Sequence, residues 1–505
     1  MVATACTGAP PPTVVGGADH TAMVLADPVE PASLNPLLGY APYGAAKLFD
    51  GLLAYDANRT LQPALAKRYP EPSADGRSWT VHIRDDILFA DGTKLDAADV
   101  AATYRALLDP TYGATVRSGY DMLADVVLLD ATTVRFDLAY PYPPFPAKLV
   151  LGIVSRTALG VVATAAKPVG TGPYQLVSWT KGDRMVLQAN KSYFGGVPKV
   201  TKLTVVFVPD DTARASRMRA GEFDGVELPP ARAAEFVGTD GVRVITQDSA
   251  EFLAVTLPTH NPVTADRAMR LALNYAVDRA GLVGSVLAGK GTPAYTPMPD
   301  TLPEFVEPQA RYRHDRDEAT HILDQAGWTV GADGIRSRGG VPARFTLMCP
   351  TGDSERTKLA QAVAKQVREV GVAVDVTAVD RGTLAARAGT EAEVMSAGDP
   401  FDPDLGFASA LHTGGTANPG GYTDTRVDAA LDSAHRATDP AQRAAAFRQA
   451  QRAYLVDPGL VVLASVGHTY VTHDYWTGYQ SVVEPFDHGA LSWGPWWNLR
   501  AWVPR

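Results

Sequence analysis

Two periodicities run through the chain. Trp79, Val81 and Ile83 alternate with Thr80, His82 and Arg84, and Val134, Phe136 and Leu138 repeat the pattern, so each run predicts a half-buried strand. Residues 22–25, 202–208, 223–228, 252–257, 345–349 and 461–465 are short apolar runs of strand length. Helical spacing appears elsewhere. Met269, Leu273, Ala276 and Val277 share one face of a helix starting near Asp266, and Leu359, Val363, Val367 and Val370 line another over 354–370. Further helices are expected over 45–53, 211–220, 318–326 and 426–437. Asp96 stands as an N-cap with Asp99 three residues on, opening a helix that must end before Pro110. Asp439 and Pro440 start another over 440–455. Strand 345–349, helix 354–370 and strand 372–376 form a β-α-β run, which implies parallel strands in an α/β domain. Gly170, Gly172 and Pro173 make a tight turn into a hairpin that reverses at Lys181-Gly182-Asp183.

At 505 residues the chain is too long for one ordinary core, so two or three domains are expected. A net charge of −9 without a basic cluster argues against nucleic acid or an anionic membrane surface as the main partner. No apolar run approaches the ~20 residues of a membrane span. The two cysteines, Cys6 and Cys349, do not make a disulfide scaffold. Small residues before Cys6 resemble the end of a bacterial lipoprotein signal, and the Pro/Gly-rich stretch 1–17 reads as a flexible tether. No Gly-x-Ser-x-Gly, His-Glu-x-x-His or Walker A pattern is present, and the ten histidines have no ligand spacing, so nothing points to catalysis, a metal or a cofactor.

An ordered set of blocks carries more. Leu48-Phe49-Asp50-Gly51-Leu52, Leu61-Gln62-Pro63-Ala64-Leu65-Ala66, Asp75-Gly76-Arg77-Ser78-Trp79, Phe89-Ala90-Asp91-Gly92-Thr93, Ala98-Asp99-Val100, Tyr140-Pro141-Tyr142-Pro143-Pro144-Phe145, the turn at 170–174, Leu273-Asn274-Tyr275-Ala276-Val277-Asp278-Arg279 and Ala326-Gly327-Trp328 occur in sequence. Together they resemble family 5 extracellular solute-binding proteins, the peptide and nickel class, over nearly the whole chain after the tail. The resemblance implies a two-lobed α/β fold of the periplasmic-binding-protein type II, in its large cluster with an extra subdomain. It places the first lobe at 18–258 plus 480–505, with a subdomain inserted at about 50–168, and the second at 259–479. It further implies an extracytoplasmic protein, lipid-anchored or periplasmic, that acts as a monomer and hands its ligand to an ABC transporter permease.

The same resemblance names site residues. In peptide-binding relatives the aspartate at the Asp399 position pairs with the ligand's α-ammonium, although from the residues alone Asp399 caps a turn before Pro400. Asp402 is the rival anchor and reads as a structural turn. Tyr40 lies in the loop that in relatives reaches the ligand, and Phe401 and His412 are expected to line the pocket. Ser396 stands where peptide binders carry tryptophan, and Arg68-Tyr69-Pro70 where the family has a Ser-Trp pair. Short peptide and nickel chelate therefore both stay open, as does a ligand-sensing protein of the same fold. The loop 350–354 opens a helix, with Ser354 expected as its N-cap. Trp493, Trp496 and Trp497 form either a stacking platform or, as the resemblance favours, core of the first lobe.

Overall fold

A computed structural model describes residues 21–160 and 168–505. Two large sheets organise it. In the first, the strands lie in the order Val242–Gln247, His468–His473, Gly225–Glu227, Ala22–Asp27, Lys202–Phe207, Arg184–Ala189 and Tyr174–Thr180. Ala22–Asp27 is central and runs parallel to both its neighbours. Met23 and Leu25 point into a core that also holds Leu203, Val205, Tyr470, Trp496 and Trp502, so the last residues of the chain complete the lobe begun by the first strand. Lys47 fixes that closure. Its buried amine donates to the carbonyls of Ser492 (3.2 Å), Trp496 (3.0 Å) and Trp497 (3.4 Å), and burial pulls its pKa down to about 7.

The inserted subdomain is a four-stranded antiparallel sheet, Glu71–Pro72, Ser78–His82, Thr133–Leu138 and Leu123–Asp130, covered by the helix Ala97–Leu108. Asp96 and Asp99 form a capping box at the start of that helix. The second large sheet runs Thr292–Pro293, Leu460–Ser465, Phe252–Thr256, Ala392–Ala397, Arg344–Pro350 and Ala373–Val379. Its β-α-β unit is the parallel pair Arg344–Pro350 and Ala373–Val379 joined by the helix Ser354–Arg368. Among the described residues no helix is long and apolar enough to cross a membrane.

Four expectations are corrected. Phe252–Thr256 pairs within the second sheet, so the chain leaves the first lobe at 248–251 rather than at 258. His468–His473 pairs within the first sheet, so the chain returns at 466–467 rather than at 479. The polar link 258–262 suggested a boundary, but the real passes are only two to four residues long and carry no compositional mark. No helix forms over 45–53. The segment runs irregularly into the strand Leu53–Tyr55, because its backbone is claimed by others: Lys47 N–H donates to Leu491 O (3.2 Å), while Gly172 and Tyr174 donate to the carbonyls of Leu48 (3.1 Å) and Lys47 (2.9 Å). Finally, Asp353 rather than Ser354 caps the helix Ser354–Arg368, accepting from the Arg356 N–H, and the Ser354 N–H goes across to Asp211 Oδ2 (3.1 Å).

The 170–174 turn is a backbone-on-backbone contact. A Cβ on Gly172 would lie 2.4 Å from the carbonyl carbon of Leu48, and one on Gly170 would lie 2.1 Å from its oxygen. Gly172→Ala should therefore cost about 1–3 kcal/mol or more through overpacking, read as a lower denaturation midpoint. Gly182→Ala should cost only about 1 kcal/mol, since nothing lies near that position and only its left-handed backbone objects.

Candidate functional site

The strand Ala392–Ala397 delivers the chain to Gly398, which lies against the first inter-lobe pass. A Cβ there would lie 1.9 Å from Ala250 O, and φ is 143°, so only glycine fits. Phe486 N–H donates to Gly398 O (3.1 Å) from the first-lobe segment that lies alongside the passes. Asp399 follows and is fully buried. Its Oδ1 accepts from Phe401 N–H (2.7 Å) and Asp402 N–H (3.0 Å), whereas Oδ2 has no hydrogen-bond partner. Burial pushes the Asp399 pKa up to about 7 against those two donors.

Two more carboxylates follow. Asp402 Oδ1 accepts from Arg443 Nη2 (2.6 Å) and from Asp404 N–H (2.9 Å), and Asp404 Oδ2 accepts from the same Arg443 nitrogen (2.8 Å). Burial works against the Asp404 charge, but His435 and Arg443 hold its pKa down to about 2. The first lobe contributes from the other side. Tyr142 donates to Asp404 Oδ2 (3.0 Å), and Lys148 is buried facing Asp404, Asp402 and Asp399. Tyr43 and Tyr55 also face Asp399. Burial first, and its charge second, hold both phenols protonated. Three carboxylates face Arg443, Lys148 and His435. Two of their oxygens, Asp399 Oδ2 and Asp404 Oδ1, are buried without a hydrogen-bond partner; Asp404 is paired with Arg443 through its other oxygen, whereas Asp399 is met only by two backbone N–H groups.

The remaining expected site residues are placed as follows. Phe401 lies between lobes, stacked on Tyr55 (3.9 Å, 9°) and tilted against Trp493 (5.2 Å, 45°). Ser396 accepts from Arg356 Nη2 (2.6 Å), and Arg356 also pairs with Glu251 (3.6 Å) and Asp353 (3.4 Å). His412 is half-buried, bonded to Thr413 O (2.9 Å) and Asp432 (3.3 Å). With Lys148, Asp404 and His435 it lines a cavity of about 330 Å³ between the inserted subdomain and the second lobe. Tyr40 is not gathered with them: it packs edge-on against Phe49, donates to Leu491 O (3.3 Å), and lines a different cavity of about 310 Å³ enclosed by first-lobe residues alone. Tyr43, three residues on, is the loop tyrosine that faces Asp399. Lys148, Tyr55 and Arg443 were not foreseen; a lysine in the apolar run after Pro146 is the one sequence sign of them. Trp493 stacks on Trp497 (5.7 Å, 21°), Trp493 and Trp496 are buried, and Trp496 belongs to the first-lobe core. Cys6 lies outside the described residues.

A second buried cluster spans the passes. His468 bonds Glu251 through Nε2 (2.6 Å) and Glu484 through Nδ1 (2.5 Å), and Tyr470 donates to Glu484 (2.7 Å). Burial opposes the His468 charge and is outweighed by the two carboxylates, which raise its pKa. His488 stacks on His468 with ring centroids 3.5 Å apart at 17°. Glu251, His468 and His488 are, among the described residues, the group whose donor atoms come within 4.8 Å of one another. Nearly parallel rings at this spacing direct their in-plane lone pairs side by side, so one metal ion does not meet both histidines while the stack persists.

Two lobes joined by two passes, with buried polar groups at their junction, have the form of a solute-binding protein. The model for bacterial extracellular solute-binding proteins, family 5, matches residues 60–418, and the chain belongs to that family, whose members serve ABC importers. It is 41% identical over 503 residues to Protein XP55 of Streptomyces lividans, covering 98% of this chain and 92% of that protein. It is 28% identical over 463 residues to the nickel-binding periplasmic protein of Escherichia coli (86% of this chain, 87% of the relative). Oligopeptide- and glutathione-binding proteins are further relatives. The fold matches NikZ from Campylobacter jejuni, solved with Ni(L-His), at a TM-score of 0.88 and 25% identity, over 96% of this chain and 99% of that one.

Asp402→Ala leaves Arg443 buried beside a single carboxylate and should destabilise the protein by about 3–5 kcal/mol, measured by urea denaturation. Asp399→Asn should act in the opposite direction on the ligand-free protein. The folded chain holds the Asp399 proton more tightly than the unfolded chain, so this group's contribution to stability falls as pH rises from 3.8 through about 7. The asparagine keeps both N–H acceptor contacts without the charge. Its gain over wild type should be larger at about pH 8 than at about pH 4, by at most about 4 kcal/mol. Thermal melts across that range check the sign.

Proposed function

We propose that this protein captures short peptides with a free N-terminal amine in the inter-lobe cleft and delivers them to the permease of an ABC importer. The carrying observation is Asp399 Oδ2: a fully buried carboxylate oxygen at the lobe junction with no hydrogen-bond partner. An ammonium group on the ligand supplies the donor and the charge that this oxygen lacks. Tyr43, Tyr55 and Phe401 supply apolar surface beside it, and the cavity next to Lys148 leaves room for further residues. Binding, closure and handover involve no covalent step. Extracytoplasmic location and a lipid on Cys6 belong to the same proposal; the latter rests on the small residues that precede Cys6. A metal chelate is the second reading, favoured by Ser396 in place of tryptophan and by the nickel-binding relative.

A thermal-shift screen of di-, tri- and oligopeptides, Ni²⁺ with histidine, and oligosaccharides selects the ligand class. A charge-assisted bond is worth roughly 1.5–3 kcal/mol, and a buried ammonium without a partner adds a desolvation cost. Asp399→Ala should therefore lower peptide affinity on the order of a hundredfold. N-acetylating the peptide should weaken its binding to wild type and hardly change its binding to Asp399→Ala, by calorimetry. Equal weakening in both proteins would remove Asp399 as the amine anchor and favour the chelate.

A further inference from the structure

The hairpin Leu53–Tyr55 and Leu61–Pro63 belongs to the first lobe's insertion, yet two of its side chains end on the second lobe. Tyr55 lies flat on Phe401, ring centroids 3.9 Å apart at 9°. Arg59, in the turn of the hairpin, donates from Nη1 to Pro400 O (3.0 Å) and to Thr301 O (2.8 Å). The residues gripped are the two that follow Asp399, and the Phe401 N–H is one of the donors to Asp399 Oδ1. Arg59 also has a φ of 61°, a left-handed backbone that a long side chain adopts at a cost. Asp56 holds this strained turn, accepting from the N–H groups of Asn58 (2.9 Å) and Thr60 (2.9 Å). Glycine would satisfy the turn with less strain but would give up the guanidinium. Phe401 is engaged from its other side by Trp493 of the first lobe.

We propose that this hairpin is the clasp that holds the lobes closed, with Tyr55 and Arg59 as positioning residues that fix Pro400-Phe401 and thereby orient the Asp399 carboxylate. Both contacts are made to backbone carbonyls and to one ring, so the clasp reads the position of the second lobe rather than the identity of a ligand. It rests on the cleft being the solute site but not on the solute being a peptide. Arg59 carries its charge to carbonyl oxygens at the cleft edge, where partial exposure keeps the desolvation cost low and the hydrogen bonds remain charge-assisted.

The test uses the ligand-free, full-length protein with nitroxides at Leu129→Cys on the inserted subdomain and Val330→Cys on the second lobe, both exposed positions. Pulsed dipolar spectroscopy reads the distance between lobes. The labelled parent should show a short-distance population that Arg59→Gly and Tyr55→Leu each reduce at least about threefold, whereas Tyr55→Phe, which keeps the ring, should preserve it. Arg59→Gly is decisive because it relieves the left-handed strain: its melting temperature should stay level or rise while the closed population falls. A residue with only a structural role would lose stability and closure together. An unchanged distance distribution in Arg59→Gly and Tyr55→Leu would overturn the clasp, as would a loss of the short population in Tyr55→Phe equal to that in Tyr55→Leu. Neither outcome bears on the amine anchor, which is read by calorimetry with acetylated peptide.

Discussion

The cleft depends on the close packing of bare backbone where the chain passes between lobes. Gly398 admits Ala250 O at a distance that no side chain would tolerate, and a Cβ on Gly467 would lie 2.6 Å from Gln247 O. Val466 N–H donates to Glu251 O (3.0 Å), so the two passes are hydrogen-bonded to one another, and the first-lobe segment 484–486 is bonded alongside them: Ala250 N–H donates to Glu484 O (2.9 Å), Glu484 N–H to Asp248 O (3.0 Å), and Phe486 N–H to Gly398 O (3.1 Å). Passes that touch leave no room for water between them. Asp399 leaves this junction one residue after Gly398 and inherits both its fixed position and its dryness. The His468–Glu251–Glu484 cluster adds charge-assisted bonds across the same junction, where low dielectric makes them strong and costly to break.

Much of this architecture was legible in the sequence, and the parts that were not share a cause. Helices with caps in the local sequence, such as Asp96 before Ala97–Leu108 and Asp439 before Pro440–Tyr454, were readable because their termini are satisfied by neighbours in the chain. The β-α-β unit was readable because two periodicities alternate within thirty-odd residues. The helix expected over 45–53 failed because partners more than a hundred residues away take its backbone groups, which no local pattern records. Lobe boundaries failed for a related reason: the passes are marked by glycine contacts and hydrogen bonds, not by composition. At the site, Asp399 came from the family resemblance and not from periodicity. Lys148, Arg443 and Tyr55 were invisible because their roles exist only where two lobes meet.

The division of groups between lobes matters as much as their identity. The second lobe supplies Asp399, Asp402 and Asp404 together with Arg443 and His435. The first lobe supplies Lys148, Tyr142 and the tyrosines that wall in Asp399. Neither lobe alone makes a balanced site. Asp402 and Asp404 pair with Arg443 within the second lobe, which holds the far side of the loop, while Tyr55 and Arg59 of the first lobe hold Pro400 and Phe401 on its near side. The first lobe also changes the environment of Asp399: it removes water and adds apolar rings.

That separation sets the energetics of closure. With the lobes apart, water would solvate Asp399, and its charge would cost little. Closing the lobes on an empty cleft buries a carboxylate whose second oxygen has no donor, and such a group lowers the cost by taking up a proton, as its raised pKa of about 7 records. On the proposed reading a ligand ammonium does the same job better, because it brings both charge and donors. A proton and a cationic ligand are then alternative occupants of one oxygen, and closure is favourable to the extent that either is present. A ligand can shift an equilibrium only by its differential affinity for the two states. An ammonium that meets a hydrated carboxylate in the open form and a dry one in the closed form has that difference built in.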